Sequence, residues 1–248
     1  MSLKSSLRFF APRAVRAHRI LRGPLRGRII VTSLHDYPAA ILGRTEKQLL
    51  TWFRQNVNPG ETWLDVGAHY GYTAIALAEL VGNSGCVYAF EPSLTTAGHL
   101  NQTRLLNSLS QITVVPFGLG DAGDLRIVSV PITRGMANHA FGGQHYEDIF
   151  LVGLDNLRTM LGWRDIHGVK IDVQGLELQT LSGMSQTLAE RRPKLIIEFH
   201  AGVDRRPILD LLTALGYRLP ATPVEPLPTE IEPAYANDRS YAFEPTSH

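Results

Sequence analysis

Short apolar runs alternate along the chain with longer segments that have a helical period. Five of the runs have the length and composition of buried strands: TWLDV (62–66), CVYAFEP (86–92), ITVVPFGLGD (112–121), VKIDV (169–173) and KLIIEFH (194–200). Helices are predicted in the segments between and after them: 71–81, 94–107, 176–192 and 207–216. This alternation predicts an α/β fold, with a mostly parallel sheet covered by helices on both faces.

Three more segments have strand character. LRIVSVPI (125–132) alternates apolar and polar positions and predicts an antiparallel excursion beside the main sheet. YRL (217–219) and SYAF (240–243) are expected to supply the last two strands. The proline-rich stretch 220–233 between them has no helical period and is predicted to be a loop.

A polar, glycine-rich stretch at 133–150 has no clear period and is predicted to be a substrate loop or lid. Asn138 and His139 within it are candidates for substrate contact, although polar loops are usually just solvated. We expect this stretch and the proline-rich loop to form the acceptor pocket.

Charge is distributed unevenly along the chain. Residues 1–28 hold eight basic residues and no acid, so the net charge of +1 leaves −7 on the rest. We therefore predict a basic N-terminal extension over 1–38 and one folded domain over 39–248. The favoured interpretation of the extension is a solvated, partly helical segment packed loosely on the domain. A membrane-surface arm and an organelle transit peptide are the alternatives.

Cysteine content and hydropathy limit the class of protein further. The single cysteine, Cys86, excludes an internal disulfide and a structural cysteine-based zinc site, and it fits a reducing cytoplasm. No stretch reaches the roughly 20 apolar residues of a spanning helix. We predict a cytoplasmic protein, with peripheral membrane contact through the basic N-terminus as a further option. The sequence predicts no oligomeric state.

Acidic and glycine residues follow the first two strands of the predicted sheet. Asp65 closes the first strand, Gly67 and Gly71 follow it, and Glu91 closes the second. Ligands of open parallel sheets bind at this edge, where a carboxylate can accept both hydroxyls of a ribose. The spacing D-x-G-x-x-x-G differs from the dinucleotide pattern G-x-G-x-x-G, and no P-loop is present. A nucleoside with a small polar appendage and no phosphates fits best, as in S-adenosylmethionine.

Six blocks in order resemble the FkbM-type S-adenosylmethionine-dependent methyltransferases: WLDVGAHYGYTAIAL, VYAFEPS, VVPFGLGD, VGLDNL, VKIDVQGLELQTLSGM and KLIIEFH. The similarity runs from about residue 39 to residue 243. It implies a class I methyltransferase (Rossmann-like) fold, whose seven-stranded sheet has only its last strand antiparallel. It also implies methyl transfer, most often to a hydroxyl of a sugar, polyketide or other secondary metabolite. The chain departs from the family at His69, where Asn is usual, and at Gln174, where Glu is usual.

The resemblance also implies how the cofactor is held. Gly67 and Gly71 would admit the methionine part, and Glu91 would hold the ribose. Asp65 would order the loop or reach the methionine amine through water, and Tyr72 would face the cofactor or pack on the sheet. The predicted cofactor contacts are Asp65, Gly67, Ala68, His69, Gly71, Tyr72, Glu91, Pro92, Ser93 and Asp121. Asp121 has two interpretations, a contact to the adenine amino group or a cap of the glycine-rich bend that ends the third strand (112–121).

Three acidic or imidazole side chains at the ends of neighbouring strands are the predicted reaction centre. We expect His200 to be the general base and Glu198 to orient it or bind the acceptor, with Asp172 beside them. The same three residues are a candidate site for Mg²⁺ or Mn²⁺. They could also only bond to loop amides at the sheet edge. Glu177 is expected to favour the helix dipole, and Asp155 to cap a helix.

Other functions fit the sequence less well. A dinucleotide oxidoreductase would need the missing glycine pattern, and a non-catalytic module would be expected to have lost the strand-end acids. A nucleic-acid methyltransferase would suit the basic N-terminus, but the rest of the chain is acidic and a poor surface for phosphates. We therefore expect a small-molecule, glycan or glycolipid acceptor and no nucleic acid.

Overall fold

The structure is a computed structural model that describes residues 11–121, 123, 125–137, 145–163, 165–228 and 230–246. The strands in these ranges are β1 (Arg16–Arg19), β2 (Ile29–Thr32), β3 (Thr62–Val66), β4 (Cys86–Phe90), β5 (Ile112–Val115), β6 (Gly118–Leu119), β7 (Arg126–Thr133), β8 (Met136–Ala137), β9 (Tyr146–Val152), β10 (Gly168–Ile171), β11 (Lys194–Phe199), β12 (Thr222–Pro223) and β13 (Arg239–Phe243). The helices are α1 (Pro38–Ile41), α2 (Lys47–Asn56), α3 (Tyr72–Val81), α4 (Leu94–Leu106), α5 (Leu154–Leu161), α6 (Glu177–Ser182), α7 (Ser185–Arg191) and α8 (Arg205–Ala214). None of the described helices is long and apolar enough to cross a membrane.

A seven-stranded sheet organises the molecule, in the order β12-β13-β11-β10-β3-β4-β5. Strands β5, β4, β3, β10 and β11 pair in parallel, whereas β13 pairs antiparallel with both β11 and β12. Thus β13, the last strand of the chain, is the one strand of this sheet that is antiparallel to the other six. This confirms the predicted seven-stranded, mostly parallel sheet. All five predicted core strands are present, but the segment 112–121 is divided between β5 of this sheet and β6 of a second sheet. The other boundaries differ by no more than two residues.

The second-last strand does not lie where the sequence predicts it. Residues 217–219 form no strand, and only Tyr217 makes an isolated bridge, to Pro245. The strand β12 lies instead at Thr222–Pro223, inside the stretch predicted to be a loop. A proline at an edge strand removes no bond from the sheet interior, so β12 can pair on one side although it contains one.

A smaller four-stranded sheet, in the order β6-β9-β7-β8, lies after β5. The β7–β9 pair is antiparallel, which confirms the excursion predicted at 125–132. The predicted polar loop 133–150 is wrong in part, because β8 and most of β9 lie within it. Ile149 of β9 is buried between more exposed neighbours, as expected for a strand with one solvent-facing side. The charged residues on that side made the segment resemble a polar loop in the sequence. Residues 138–144, including Asn138 and His139, lie outside the described residues.

The helix predicted over 176–192 is two short helices, α6 and α7, separated at Gly183 and Met184. A Cβ atom at Gly183 would lie 1.8 Å from the carbonyl oxygen of Gly120. The main chain of the segment after β6 therefore passes against the interruption. That close approach depends on a distant part of the chain, and the local helical period cannot predict it.

The basic N-terminal segment forms a hairpin of β1 and β2, so the expectation of a partly helical, loosely packed extension is wrong for residues 16–32. Ile20 and Ile30 are buried in the apolar layer that also holds Leu77 of α3. The edge of β2 that does not pair with β1 is hydrogen-bonded to side chains of α4 and of its C-cap residue, Asn107. The Val31 amide donates to Thr103 Oγ1 at 2.9 Å, and the Ile29 amide donates to Asn107 Oδ1 at 2.8 Å. The hairpin is thus packed as part of the folded unit. The boundary at residue 38 stays a prediction.

Candidate active site

A cavity of about 340 Å³ opens at the carboxyl ends of β3, β4, β10 and β11. Its walls come from the loops that follow these strands, from β6 and β9, from the β7–β8 turn, and from residues 36–46 near α1. Ligands of open α/β sheets bind at this edge. The cavity therefore lies where the sequence places the strand-end acids and glycines.

Glycine is required at each of the two positions after β3 for a different structural reason. Gly67 has φ +79°, lines the cavity, and leaves no room for a side chain, because a Cβ would lie 1.8 Å from the Asp172 carbonyl oxygen. Gly71 has φ +92° and does not line the cavity; its Cβ would lie 2.2 Å from Leu100 Cδ1 on α4. The small size of Gly71 lets α3 pack on α4, and its cofactor role stays a prediction.

His69 lies between these glycines in a left-handed conformation, with φ +51°. Asn and His are among the residues that tolerate this region best, which explains how His replaces the Asn that is usual here. Its Nε2 lies 3.1 Å from the carbonyl oxygen of Arg134, and burial lowers the pKa of His69 to about 4. His69 therefore lines the cavity as a neutral side chain.

Glu91, after β4, is 3% exposed and lines the cavity. Its Oε2 accepts the amide of His69 and its Oε1 the amide of Ser93, each at 2.9 Å. Burial raises the pKa of Glu91 to about 8, even though these two amides lower it. Each carboxylate oxygen can accept a second hydrogen bond. Glu91 is thus held rigidly, with acceptor capacity left for a ligand.

Asp65 is fully buried and does not line the cavity. Thr73 donates its hydroxyl to Asp65 Oδ2 at 2.6 Å, and the ammonium of Lys170 lies 3.1 Å from Oδ1. Of the two predicted roles, the contacts match ordering of the loop, because Asp65 joins β3, α3 and β10.

Lys170 is a site residue that the sequence analysis missed. Its ammonium lines the cavity, donates to the Gly67 carbonyl at 3.2 Å, and lies 3.5 Å from Asp172 Oδ2. Although burial opposes the charge, Asp65 and Asp172 raise the pKa of Lys170, so it is a cation. The signal was present in VKIDV, where a lysine in a buried strand needs an acidic partner.

Asp172, Glu198 and His200 are brought together, with one ligand atom of each within 4.8 Å of the others. His200 Nε2 lies 3.3 Å from Asp172 Oδ1 and 3.7 Å from Glu198 Oε1. Asp172 and Glu198 line the cavity, whereas His200 is buried behind them. The side-chain nitrogen of Gln174, Nε2, lies 2.7 Å from His200 Nε2, and Gln174 itself lines the cavity. His200 is thus placed behind the cavity wall, and its role as the base stays a prediction.

Glu177, not Glu198, orients the imidazole. His200 Nδ1 lies 2.8 Å from Glu177 Oε1, and both side chains are buried. Although burial opposes protonation, this bond and the charge of Asp172 raise the pKa of His200. Glu177 had been expected only to favour the dipole of its helix. The pairing was not readable from the sequence, because the two residues are 23 apart and on different elements.

Glu46 is a second cavity residue that was missed. It lines the cavity near Asp172 and Glu198, and burial followed by the charge of Asp172 raises its pKa. Burial and the charges of Asp172 and Glu46 also raise the pKa of Glu198 well above the ordinary value. Lys170 is the cation at the centre of this acidic group. Such mutually raised pKa values are typical of sites that move protons.

The remaining predicted cofactor contacts divide into two groups. Ala68, Tyr72 and Pro92 line the cavity. Ser93 caps α4, accepting the Thr96 amide at 3.2 Å, and does not line it. Asp121 is half exposed, forms an ion pair with Arg126, and lies outside the cavity wall. The predicted contact of Asp121 with adenine is therefore not supported by its position.

Comparison with known proteins decides the family. Residues 65–219 match the family described as Methyltransferase FkbM domain, which is more than half of the chain. The chain belongs to the FkbM methyltransferase family. Its members use S-adenosylmethionine, so the resemblance in the sequence is confirmed at the level of family and cofactor class.

Individual relatives are distant. Hexuronic acid methyltransferase AglP of Haloferax volcanii is 27% identical over 173 residues, which are 68% of this chain and 69% of that protein. The crystal structure of methyltransferase FkbM from Methylobacillus flagellatus is 19% identical with a TM-score of 0.51, covering 78% of this chain and 50% of its own. This chain thus spans half the length of that protein. An rRNA methylase from Streptococcus thermophilus, 14% identical, has a TM-score of 0.52 over 83% of this chain and 99% of its own. The similarity to these two solved structures shows that the chain has the class I methyltransferase fold.

Proposed function

We propose that the protein transfers a methyl group from S-adenosylmethionine to an oxygen of a sugar or glycan acceptor, with a sugar acid as the leading candidate. One observation carries the proposal: a rigid, buried Glu91 and the acidic pair Asp172 and Glu198 face the same cavity. The first suits the ribose of a nucleoside, and the second suits proton removal from an acceptor. The name of the relative that acts on hexuronic acid supports the acceptor class.

The residues present fit the cofactor. Glu91 keeps acceptor capacity for the two ribose hydroxyls, because each of its oxygens is bonded to one amide only. Gly67 and Ala68 line the cavity without side chains that would fill it. Phe117, Leu119 and Leu151 add an apolar wall suited to a flat base. When bound, the cofactor supplies an electrophilic methyl group.

Glu198 is the proposed general base. An aliphatic hydroxyl needs help to lose its proton, and a base acts best when its pKa is near the working pH. Burial and the charges of Asp172 and Glu46 raise the pKa of Glu198, which makes its carboxylate a stronger proton acceptor, and this carboxylate is at the cavity wall. His200, held by Glu177, is the positioning residue behind it. Asp172, paired with Lys170, stays ionised and can hold an acceptor hydroxyl.

The same three residues also fit a divalent cation. Asp172, Glu198 and His200 offer the oxygen and imidazole ligands that Mg²⁺ or Mn²⁺ accepts, and a bound ion would acidify the acceptor hydroxyl. Existing contacts favour the metal-free route, because Lys170 lies on Asp172 and Gln174 lies on His200 Nε2.

The basic hairpin is proposed to contact an anionic membrane surface. Arg19, Arg22 and Arg26 are exposed there, and Leu21 is 54% exposed beside them. Exposed leucine among arginines suits the interface of anionic lipids. Sedimentation with phosphatidylglycerol vesicles should bring the protein down, and phosphatidylcholine vesicles should not. Equal sedimentation with both would contradict this.

Methyl transfer to glucuronic acid, followed as S-adenosylhomocysteine formed, tests the proposed chemistry. Glu198→Gln should lower kcat by about 10²- to 10⁴-fold, the usual contribution of a general base, and leave cofactor affinity unchanged. Glu190→Gln, an exposed acid on α7, is the matched control and should keep wild-type turnover. EDTA should have no effect. Wild-type turnover in Glu198→Gln would exclude this base, and loss of turnover with EDTA would favour the metal.

A further inference from the structure

The β7–β8 turn carries a cation to the mouth of the cavity. Thr133 pairs with Met136, so Arg134 and Gly135 are the two central residues of a tight turn. Their φ angles are +54° and +72°, as in a type I′ turn. Asn, Asp and Gly are the residues preferred at the first of these positions. An arginine there accepts a strained backbone, and such strain is found most often at functional sites.

The turn is fastened to the loop that follows β3. The carbonyl oxygen of Arg134 lies 3.1 Å from His69 Nε2, and Thr96 donates its hydroxyl to the carbonyl of Gly135 at 2.8 Å. A Cβ at Gly135 would lie 2.5 Å from the hydroxyl of Tyr70. Two hydrogen bonds, one from the loop after β3 and one from α4, thus hold the main chain of the turn in place, and Gly135 packs closely on Tyr70.

Among the described residues that line the cavity, the side-chain cations are Lys170 and Arg134. The ammonium of Lys170 is occupied by Asp65, Asp172 and the Gly67 carbonyl. The guanidinium of Arg134 has no hydrogen bond or ion pair with any described residue, and its side chain is exposed. Arg134 is therefore the cavity cation that a ligand can pair with.

We propose that the Arg134 guanidinium binds a carboxylate at the mouth of the cavity. This inference rests on the proposed function, which brings two carboxylates to the site: that of the cofactor's methionine part and that of a sugar-acid acceptor. A guanidinium matches a carboxylate with two parallel hydrogen bonds, which a lysine ammonium cannot reproduce. Because the acids Glu46, Asp172 and Glu198 also line the cavity, this cation offsets the repulsion that an anionic ligand would meet.

Calorimetric titration separates the two sources of the carboxylate. Wild type, Arg134→Gln and Arg134→Lys are titrated with S-adenosylhomocysteine and with 5′-methylthioadenosine, which has the same nucleoside but no amino acid. A contact with the cofactor predicts that Arg134→Gln weakens S-adenosylhomocysteine about tenfold and leaves methylthioadenosine unchanged. Arg134→Lys should recover part of the loss, because it keeps the charge.

A contact with the acceptor predicts a different result. The affinity for S-adenosylhomocysteine stays at the wild-type value, and the ratio of kcat/KM for glucuronic acid over glucose falls about tenfold in Arg134→Gln. Arg126→Gln, at the other end of β7 and outside the cavity wall, is the matched control and should change neither quantity.

The inference is overturned if Arg134→Gln changes neither the affinity for S-adenosylhomocysteine nor the preference for glucuronic acid. It is also overturned if both adenosine ligands weaken equally, because that result reports a disturbed hairpin. Failure of the proposed function looks different: the wild-type protein itself would then bind neither adenosine ligand.

Discussion

At the scale of single residues, the site is a set of buried ionisable groups with assigned partners. Lys170 joins Asp65 to Asp172, Glu177 holds His200, and the amides of two loop residues hold Glu91. A buried charge without such partners would be expensive, so removing any one member leaves another uncompensated. The site is therefore positioned before any ligand arrives, as differential stabilisation of a transition state requires.

Glu91 makes stability depend on pH. Its pKa in the folded state is about 8, above the ordinary value of 4.5, so the folded chain holds more protons between these values. The contribution of Glu91 to the free energy of unfolding is therefore full below about pH 4.5 and is lost as the pH rises through 8. Between pH 6 and pH 9, wild type should lose roughly 2–3 kcal/mol of unfolding free energy relative to Glu91→Gln.

Denaturant unfolding of both proteins at the two pH values measures this difference. Glu190→Gln serves as the control, since an exposed carboxylate stays ionised throughout this window. An unchanged difference between wild type and Glu91→Gln would mean that Glu91 is already ionised at pH 6.

The sequence predicts some site residues and not others, for a physical reason. Gly67 and Glu91 occupy strand ends, and strand ends meet at one edge of a parallel sheet whatever the loops do. Glu46 and the Glu177–His200 pair depend on how separate elements pack, which local pattern does not encode. For Asp121 the sequence leaves two interpretations open, an adenine contact or a cap, and the structure pairs it with Arg126.

At the scale of elements, close approaches of main chain to main chain shape the cavity. The end of β10 passes so near the loop after β3 that position 67 has no space for a Cβ, and the break between α6 and α7 accommodates the segment after β6. The first of these approaches brings the loop after β3 against Asp172, which directly follows β10.

Gly67→Ala should destabilise the fold by about 3 kcal/mol or more, because the new Cβ meets a carbonyl oxygen and the backbone has positive φ. Gly162→Ala is the control: its φ is +69°, but nothing lies within 4 Å of a Cβ there, so about 1 kcal/mol is expected. Chemical unfolding compares the two. Equal losses would show that the approach of β10 to the loop is looser than described.

At the scale of the whole molecule, the sequence predicts the fold class and most of the sheet. Strands buried on both faces produce continuous apolar runs, which can be recognised in the sequence without knowledge of how the strands pack. The N-terminal hairpin was missed because arginines interrupt its apolar positions, and its burial depends on α4. Short edge strands such as β12 leave almost no pattern at all.

Removing the hairpin tests whether it belongs to the folded unit. A chain of residues 39–248 exposes the core side chains that packed against Ile20, Ile30 and Val31, and should lose on the order of 5 kcal/mol. Thermal unfolding followed by circular dichroism, against the full chain, measures the loss. A truncated chain with the melting temperature of the full chain would make residues 1–38 an appended segment, as the sequence predicts.

Calorimetric titration with S-adenosylmethionine, in wild type and in Glu91→Ala, tests the proposed function most directly. Wild type should bind one cofactor per chain with or without EDTA. Glu91→Ala should bind about 10- to 100-fold more weakly, because the ribose hydroxyls lose their hydrogen-bond partner in a buried site. A folded wild-type protein that binds no cofactor, or a Glu91→Ala variant that binds it as tightly as wild type, would contradict the cofactor site described for this cavity.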